Sequence, residues 1–507
     1  MTALLTMLTS LCAFTQAGGV LDPSFGTNGI VTTSIGPVSD WASDVALQDD
    51  GKIVAVGFAG ITSNPFSNDF GTARYTSSGQ LDPTFGSGGT VMTHISGDDQ
   101  ARAVGIQPDG KIVLVGTSST NSNGNITIVR YNVNGTLDNT FGSNGVVVRN
   151  TAVNDAGFTL AIQPDGKLLV GGSATVGGTL RMIVARYNPN GLYDNSFGTG
   201  GEVILNFGHT AAGVFDMEIL LDGRILLGGY SGNTNARDFA VVRLNADGSL
   251  DGSFGTGGSQ ITSLSPGNDF GRGLAIQDDG KILLCGDTRI GNDVAAALLR
   301  YSVNGILDIT FGTNGFVTLN QGPGDDIAQR VVVDSDGRIL LVGQVADGAA
   351  VQHALVRHLS TGALDISFGS NGIASLPNSS GSALVQQADG RIVTVGRMVN
   401  GGLNEFLVTR YFGPPTHLDN PIVGASIRPR IYPNPSAGSF TIENQTSRPL
   451  GAELMVLDAL GRVVVQPYTV IGTDRFVLDL EGEASGVYFL RLTTPEGVFT
   501  RELVIQR

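Results

Sequence analysis

Residues 107–116 read QPDGKIVLVG, and the chain writes this phrase seven times. It recurs as QDDGKIVAVG (48–57), QPDGKLLVGG (163–172), QDDGKILLCG (277–286) and DSDGRILLVG (334–343), and more loosely as LLDGRILLGG (220–229) and QADGRIVTVG (387–396). The DG pairs begin at Asp50, Asp109, Asp165, Asp222, Asp279, Asp336 and Asp389, so successive copies stand 59, 56, 57, 57, 57 and 53 residues apart. A period this regular signals one structural unit used repeatedly. Within the unit, DG predicts a tight hairpin whose two central residues both take φ > 0. The flanking runs are rich in Val and Ile, as strands prefer. The run after the turn is apolar at nearly every position, which predicts a strand covered on both faces.

Each unit holds four such runs. In the second unit they are AVGI (103–106), KIVLVG (111–116), ITIVRYN (126–132) and, after NGTLDNTFGSNG, VVVRN (146–150). Seven units of four antiparallel strands predict an all-β chain built on a seven-bladed β-propeller. A solenoid would need polar caps at its ends, and the ends here favour closure. LDPSFGTNGIVTT (21–33) is an outer-strand segment that precedes the first DG turn, and the last unit stops at LVTRYFG (407–413), after three strands. Pairing Gly29–Thr33 with those three closes the ring and leaves no open edge. Arg74, Arg130, Arg186, Arg243, Arg300 and Arg357 each stand eight residues before an aspartate (Asp82, Asp138, Asp194, Asp251, Asp308, Asp365), whereas Arg410 and Asp22 lack such a partner in sequence. The expectation is one guanidinium–carboxylate pair per blade, with Arg410 and Asp22 meeting at the seam.

Composition narrows the rest. The 73 glycines follow no triplet period, which argues against collagen, and 41% hydrophobic residues argue against disorder. A net charge of −15, with every lysine inside the repeated phrase, disfavours a nucleic-acid partner. ALLTMLTSLCAF (3–14), followed by small residues around Ala17, predicts a signal peptide over 1–19, although it lacks the usual basic start. Cleavage there leaves Cys285 alone and permits no intramolecular disulfide. No later stretch of about 20 apolar residues predicts a membrane span.

The propeller is expected over 20–413. PPTHLDNPIVGASIRPR (414–430) reads as a linker. Alternating strands broken by Gly and Pro over 431–507 predict a small immunoglobulin-like β-sandwich. Tyr432, Pro433, Asn434 and Pro435 spell YPNP; LDALGRVVV (457–465) follows around Gly461, then GVYFLRL (486–492) with Gly486 and Tyr488. In this order the motifs resemble the type A sorting domain of the type IX (Por) secretion system of Bacteroidota. The resemblance implies entry into the periplasm by a signal peptide, passage through the outer membrane on that machinery, and a cell-surface or released product. The repeats, through LD-x-[ST]-FG, DG-[KR] and the RY positions, resemble delta-60 propeller repeats; Tyr193, Leu244 and His358 depart from the pattern. That resemblance implies a propeller and supplies no reaction or ligand.

In such a blade the DG hairpins share one face and the irregular loops the other, and ligands are expected on variable loops held by a rigid frame. Ten residues before the DG aspartates stand Asp40, Asp99, Asp155, Asp269 and Asp326, with Ala212 (and His209 nearby) and Ser379 in the remaining units. Such carboxylates can bind a ligand or a hard cation. They can equally cap their own loops, and their recurrence favours the cap. Trp41, the only tryptophan, lies near Phe58 and Phe66 in the first unit; these aromatics fit either a sugar or a cover over the seam. No nucleophile elbow, phosphate loop or histidine cluster occurs. No catalytic residue, metal or cofactor is therefore predicted. The expected function is an exported, non-catalytic binding or adhesion module with a possible glycan or protein ligand. The alternative is an extracellular carbohydrate-active enzyme, a hydrolase or lyase, with acidic residues at the channel mouth.

Overall fold

The computed structural model describes residues 18–413 and 429–506, apart from 64–65, 121–122, 150, 152, 221, 292, 335, 349, 433–435, 445–449, 459–462, 474 and 495–496. In it QPDGKIVLVG forms the expected hairpin, with a different turn. Gly110 N donates to Gln107 O at 2.8 Å and Gln107 N to Lys111 O at 2.9 Å. Gly110 has φ of 80°, whereas Asp109 is not among the residues with positive φ. The turn is therefore an ordinary one over Pro108 and Asp109, closed by a left-handed glycine, and not the two-residue form with both centres left-handed. Proline presets the first centre. Asp109 Oδ1 accepts from Lys111 N at 3.2 Å, which fixes the second.

Twenty-eight strands between Ile30 and Tyr411 form seven four-stranded antiparallel sheets. The second blade shows the plan: Asp98–Ile106 innermost, then Ile112–Thr120, Asn123–Tyr131 and Val146–Val148. In the last blade the inner three strands are Ser379–Gln386, Ile392–Asn400 and Leu403–Tyr411, and the fourth is Ile30–Thr33, with Ile30 opposite Thr409 and Thr33 opposite Phe406. Apolar clusters fill the gaps between neighbouring sheets. One joins Val56 and Phe70 of the first blade to Leu114 and Val129 of the second. Another joins Val393 and Phe406 of the last blade to Ile53 and Ala55 of the first. The sheets thus pack face to face around a ring, first against last.

The LD-x-[ST]-FG signature explains itself as a staple. Arg130 Nε donates to Asp138 Oδ2 at 2.8 Å, and the guanidinium lies over the Phe141 ring at 4.5 Å. Thr140 Oγ1 donates to the other carboxylate oxygen at 2.7 Å. Arg130 Nη1 reaches Pro189 O in the next blade at 2.5 Å, so each staple also ties two blades. Burial alone would raise the Asp138 carboxyl, but Thr140, Lys111 and Arg130 outweigh it and hold it at about 2. The same triad recurs with Asp82, Asp194, Asp251, Asp308 and Asp365. Across the seam, Arg410 Nε donates to Asp22 Oδ2 at 2.9 Å and lies over Phe25 at 4.7 Å. Arg357 differs from the others: its Nη1 is buried without a hydrogen-bond partner. The backbone of Gly18 and Gly19, which the sequence reading assigned to the signal segment, is bonded to Gly369 N and Phe412 O, each at 2.9 Å. The rest of that segment, and the linker up to 428, lie outside the described residues.

The C-terminal region forms two further sheets. Pro429–Tyr432, Ser439–Asn444 and Arg475–Asp479 make a three-stranded sheet; Leu450–Asp458, Val463–Thr473, Gly486–Thr494 and Gly497–Ile505 make a four-stranded one. They share one core, with Phe440, Ile442 and Leu478 from the first and Leu454, Val456, Leu490 and Leu503 from the second. This is the sandwich geometry of two sheets packed face to face.

Candidate functional site at the channel mouth

Every innermost strand carries a β-bulge at the same place. Its register with the second strand slips between Ala42 and Asp44, Ala101 and Ala103, Gly157 and Thr159, Val214 and Asp216, Gly271 and Gly273, Ala328 and Arg330, and Gly381 and Ala383. The last glycine of the repeated phrase faces the slip. A Cβ on Gly116 would lie 2.1 Å from Gln100 O, one on Gly57 1.9 Å from Trp41 O, and one on Gly286 1.7 Å from Phe270 O. Only glycine lets the bulged backbone cross so closely. QPDGKIVLVG therefore ends in Gly because the strand beside it is kinked.

The kink gives each blade one extra residue, seven before the DG aspartate: Ser43, Arg102, Phe158, Phe215, Arg272, Gln329 and Ser382. Bulges commonly re-aim side chains beside functional sites. Here the re-aimed residues meet between blades. Phe158 and Phe215 lie 4.7 Å apart, Phe215 and Tyr230 5.7 Å, and Tyr230 and Phe270 5.2 Å. Arg237 lies 5.2 Å from both the Tyr230 and Phe270 rings. Arg272 lies 5.7 Å from the Phe270 ring and bonds Asp287, and its Nη1 reaches Gln329 Oε1 at 3.5 Å. An aromatic and arginine arc thus runs over three blades and reaches Gln329 of a fourth, with Phe158, Phe215, Phe270, Arg237 and Arg272 all half-buried. Across the ring, Trp41 Nε1 donates to Ser382 Oγ at 2.8 Å, and Arg397 lies over the indole at 4.1 Å.

Below the mouth the channel holds a cavity of about 470 Å³, lined by Asp44, Asp216, Glu218, Arg330 and apolar neighbours. Arg330 Nη1 pairs with Asp216 Oδ1 at 2.6 Å, and its Nη2 lies 3.5 Å from Asp44 Oδ1. Asp44 accepts from Val104 N at 2.9 Å and Asp216 from Leu274 N at 2.8 Å, each in the next blade. Enclosure within the ring pushes the Glu218 carboxyl up to about 8, with Asp216 adding to the shift and Arg330 opposing it. Channel water still reaches Glu218, which softens that effect.

The residues anticipated from sequence fall elsewhere. Asp40, Asp99, Asp269 and Asp326 are fully buried and Asp155 is 2% exposed. Their oxygens hold their own loops. Asp40 accepts from Ile35 N at 2.7 Å and Gly60 N at 3.0 Å, Asp99 from Ile95 N at 2.7 Å, and Asp155 from Thr175 N at 3.1 Å. Asp269 accepts from Leu264 N at 2.7 Å and Thr288 Oγ1 at 2.6 Å, and Asp326 from Gln321 N at 2.6 Å and Ala346 N at 2.7 Å. Burial raises Asp40, Asp99 and Asp326 above the usual carboxylate range against those bonds. The structure thus has these aspartates cap their own loops. His209 Nδ1 lies 3.0 Å from Ser231 Oγ. His94 Nδ1 bonds Asp69 at 2.8 Å, which raises its pKa, and with Asp99 the three bring ligand atoms within 4.8 Å of one another. Trp41 is half-buried, and Phe58 lies 6.2 Å from it; the Phe66 side chain is outside the description. In the C-terminal sandwich Tyr432 donates to Glu443 Oε2 at 3.0 Å, Gly486 opens a strand, and buried Tyr488 donates to Ala484 O at 2.8 Å. Pro433, Asn434, Pro435 and Gly461 lie outside the described residues. The sequence reading did not find the bulged residues or the channel charges. Comparing the seven copies column by column would have exposed the variable position seven before DG.

Fold and tail together define an exported β-propeller protein. Its repeats at 48–85, 107–141, 163–197, 221–254 and 277–311 match the family described as "Domain of unknown function (DUF5122) beta-propeller". Residues 430–506 match the "Secretion system C-terminal sorting domain", which directs the chain through the type IX machinery to the cell surface or extracellular space. No helix among the described residues is long and apolar enough to cross a membrane. No curated protein matches the chain. Among solved structures it is similar to a protein of unknown function from Dyadobacter fermentans DSM 18053, at 11% identity and a TM-score of 0.41, over 76% of this chain and 99% of that one. Sqt1 of Chaetomium thermophilum gives 12% and 0.42, over 76% and 98%. The polysaccharide lyase Uly1 gives 10% and 0.40, over 73% and 90%.

Proposed function

We propose that this exported propeller is a non-catalytic binding or adhesion module that takes its ligand at the channel mouth. In this reading 20–413 is the binding unit, 414–430 a linker and 431–507 the sorting address. One observation carries it: the bulge recurs in all seven blades, yet the residue placed on it changes from Ser to Arg, Phe and Gln. A frame held constant while its projected side chains diverge is how a fold presents a specific surface. Half-exposed aromatics with arginines are the side chains that dominate recognition.

A second reading, an extracellular carbohydrate-active enzyme, draws support from Glu218. A carboxyl that keeps its proton near neutral pH can serve as a general acid, and it stands in a hydrated channel beside the Arg330–Asp216 pair. Glycan and protein arrays, run with hydrolase and lyase screens on the full chain, separate the two. Binding without turnover supports the module. Turnover that disappears in Glu218→Gln replaces it with the enzyme.

A further inference from the structure

The arginines of this protein divide into two sets. Those of the frame each have a carboxylate, as Arg130 has Asp138. At the mouth Arg272 pairs with Asp287, whereas Arg102, Arg237 and Arg397 form no ion pair among the described residues. Arg102 Nη2 donates to Gln100 Oε1 at 2.6 Å, and Gln100 Nε2 donates to Asp98 Oδ2 at 3.0 Å. Arg237 has its Nε buried without a hydrogen-bond partner, between two aromatic rings. Arg397 donates only to Ser380 Oγ, at 3.2 Å, and stacks on Trp41. Desolvation lowers the pKa of Arg102 and of Arg397. A cation removed from water without a directly paired carboxylate is costly; Asp98 offsets this in part for Arg102, through Gln100, and no such charge acts on Arg397 among the described residues. A bound anion would supply the missing partner.

Resting on the reading of the mouth as the ligand site, we propose that the ligand is an anionic oligosaccharide. Its sugar faces lie on Phe158, Phe215 and Phe270, and its carboxylate or sulfate groups are held by Arg102 and Arg237. Ring faces suit the apolar faces of sugars, and guanidinium forks suit planar or tetrahedral oxyanions. A peptide is disfavoured: each innermost strand ends its sheet and keeps one edge towards the channel, but the bulge within it breaks the regular row of backbone groups that addition of a peptide strand needs.

The test is titration calorimetry of the full chain with oligogalacturonate and with a sulfated galactan, against neutral galactan and poly-glutamate. The variants are Arg102→Gln with Arg237→Gln, and Phe215→Ala, each checked for an unchanged melting temperature. At least one anionic sugar should bind and weaken with added salt. The double arginine variant should lose about tenfold or more in affinity, and Phe215→Ala should weaken it as well. Neutral galactan bound as tightly as the anionic sugars overturns the inference, as does poly-glutamate bound as tightly as either; if Phe215→Ala still abolishes that binding, the mouth survives as the ligand site. No binding of either anionic sugar also overturns it, and the wider reading then stands or falls on the arrays.

Discussion

The outer frame and the channel mouth are built from the same repeat and treat charge in opposite ways. In the frame each guanidinium is stapled to a carboxylate and covered by a phenylalanine, and all but Arg357 are tied to the next blade, as with Arg130, Asp138, Phe141 and Pro189 O. At the mouth, Arg272 pairs with Asp287, but Arg237 on Tyr230 and Phe270 and Arg397 on Trp41 sit on aromatic rings and form no ion pair among the described residues. Sevenfold repetition of a satisfied cluster is what a fold needs. Unsatisfied groups that appear only in some blades cost stability, and a ligand gives a reason to retain them.

The largest expected effect falls on the frame. Asp138→Ala strands the buried Arg130 guanidinium and should cost about 3–5 kcal/mol in denaturant unfolding. A cost comparable to that of a surface change would break the distinction. Next comes the hinge between the two regions. Gly116→Ala forces a methyl against Gln100 O and should cost about 1–3 kcal/mol. Gly252→Ala, where an added Cβ meets nothing within 4 Å, should be close to neutral.

A smaller effect is expected from the channel. The Glu218 carboxyl, usually near 4.5, is pushed up in the fold towards about 8, less the screening that its exposed side chain receives. Between those values the unfolded chain has released a proton that the folded chain keeps. Its contribution is therefore complete below about 4.5 and fades as pH rises towards 8. The melting temperature should fall over that window, and Glu218→Gln should flatten the slope. The smallest loss belongs to the mouth: Arg102→Gln removes a desolvated cation that has no ion pair among the described residues, so it should lower stability by no more than about 0.5 kcal/mol, if at all, and a larger loss would make Arg102 part of the frame.

The frame was legible in the sequence because it repeats. Spacing alone indicated the blade unit, and the unmatched Arg410 and Asp22 pointed to a seam where they bond at 2.9 Å. The turn was misread because DG, taken alone, suits a two-residue hairpin; Pro108 and the Asp109-to-Lys111 bond select the longer turn. The mouth was hidden for a different reason. A bulge shifts register by one residue and leaves the apolar pattern almost intact, so Arg102 and Phe215 read as strand positions of no special standing. Their partners are also distant in sequence, as Trp41 is from Ser382 and Arg397. Asp40 and its four counterparts could be read from sequence as ligands or as loop caps, with their recurrence favouring the cap, and in the structure they bond the backbone of their own loops.

The central claim is that the frame supports the protein and the mouth serves it. The most direct test is to find a ligand on the arrays and measure its affinity for three full-length proteins: wild type, Phe215→Ala with Arg237→Gln at the mouth, and Lys111→Ala on the DG face. The account predicts that the mouth variant loses binding while keeping its melting temperature, and that Lys111→Ala binds like wild type. Binding that survives the mouth variant and is lost in Lys111→Ala would contradict it.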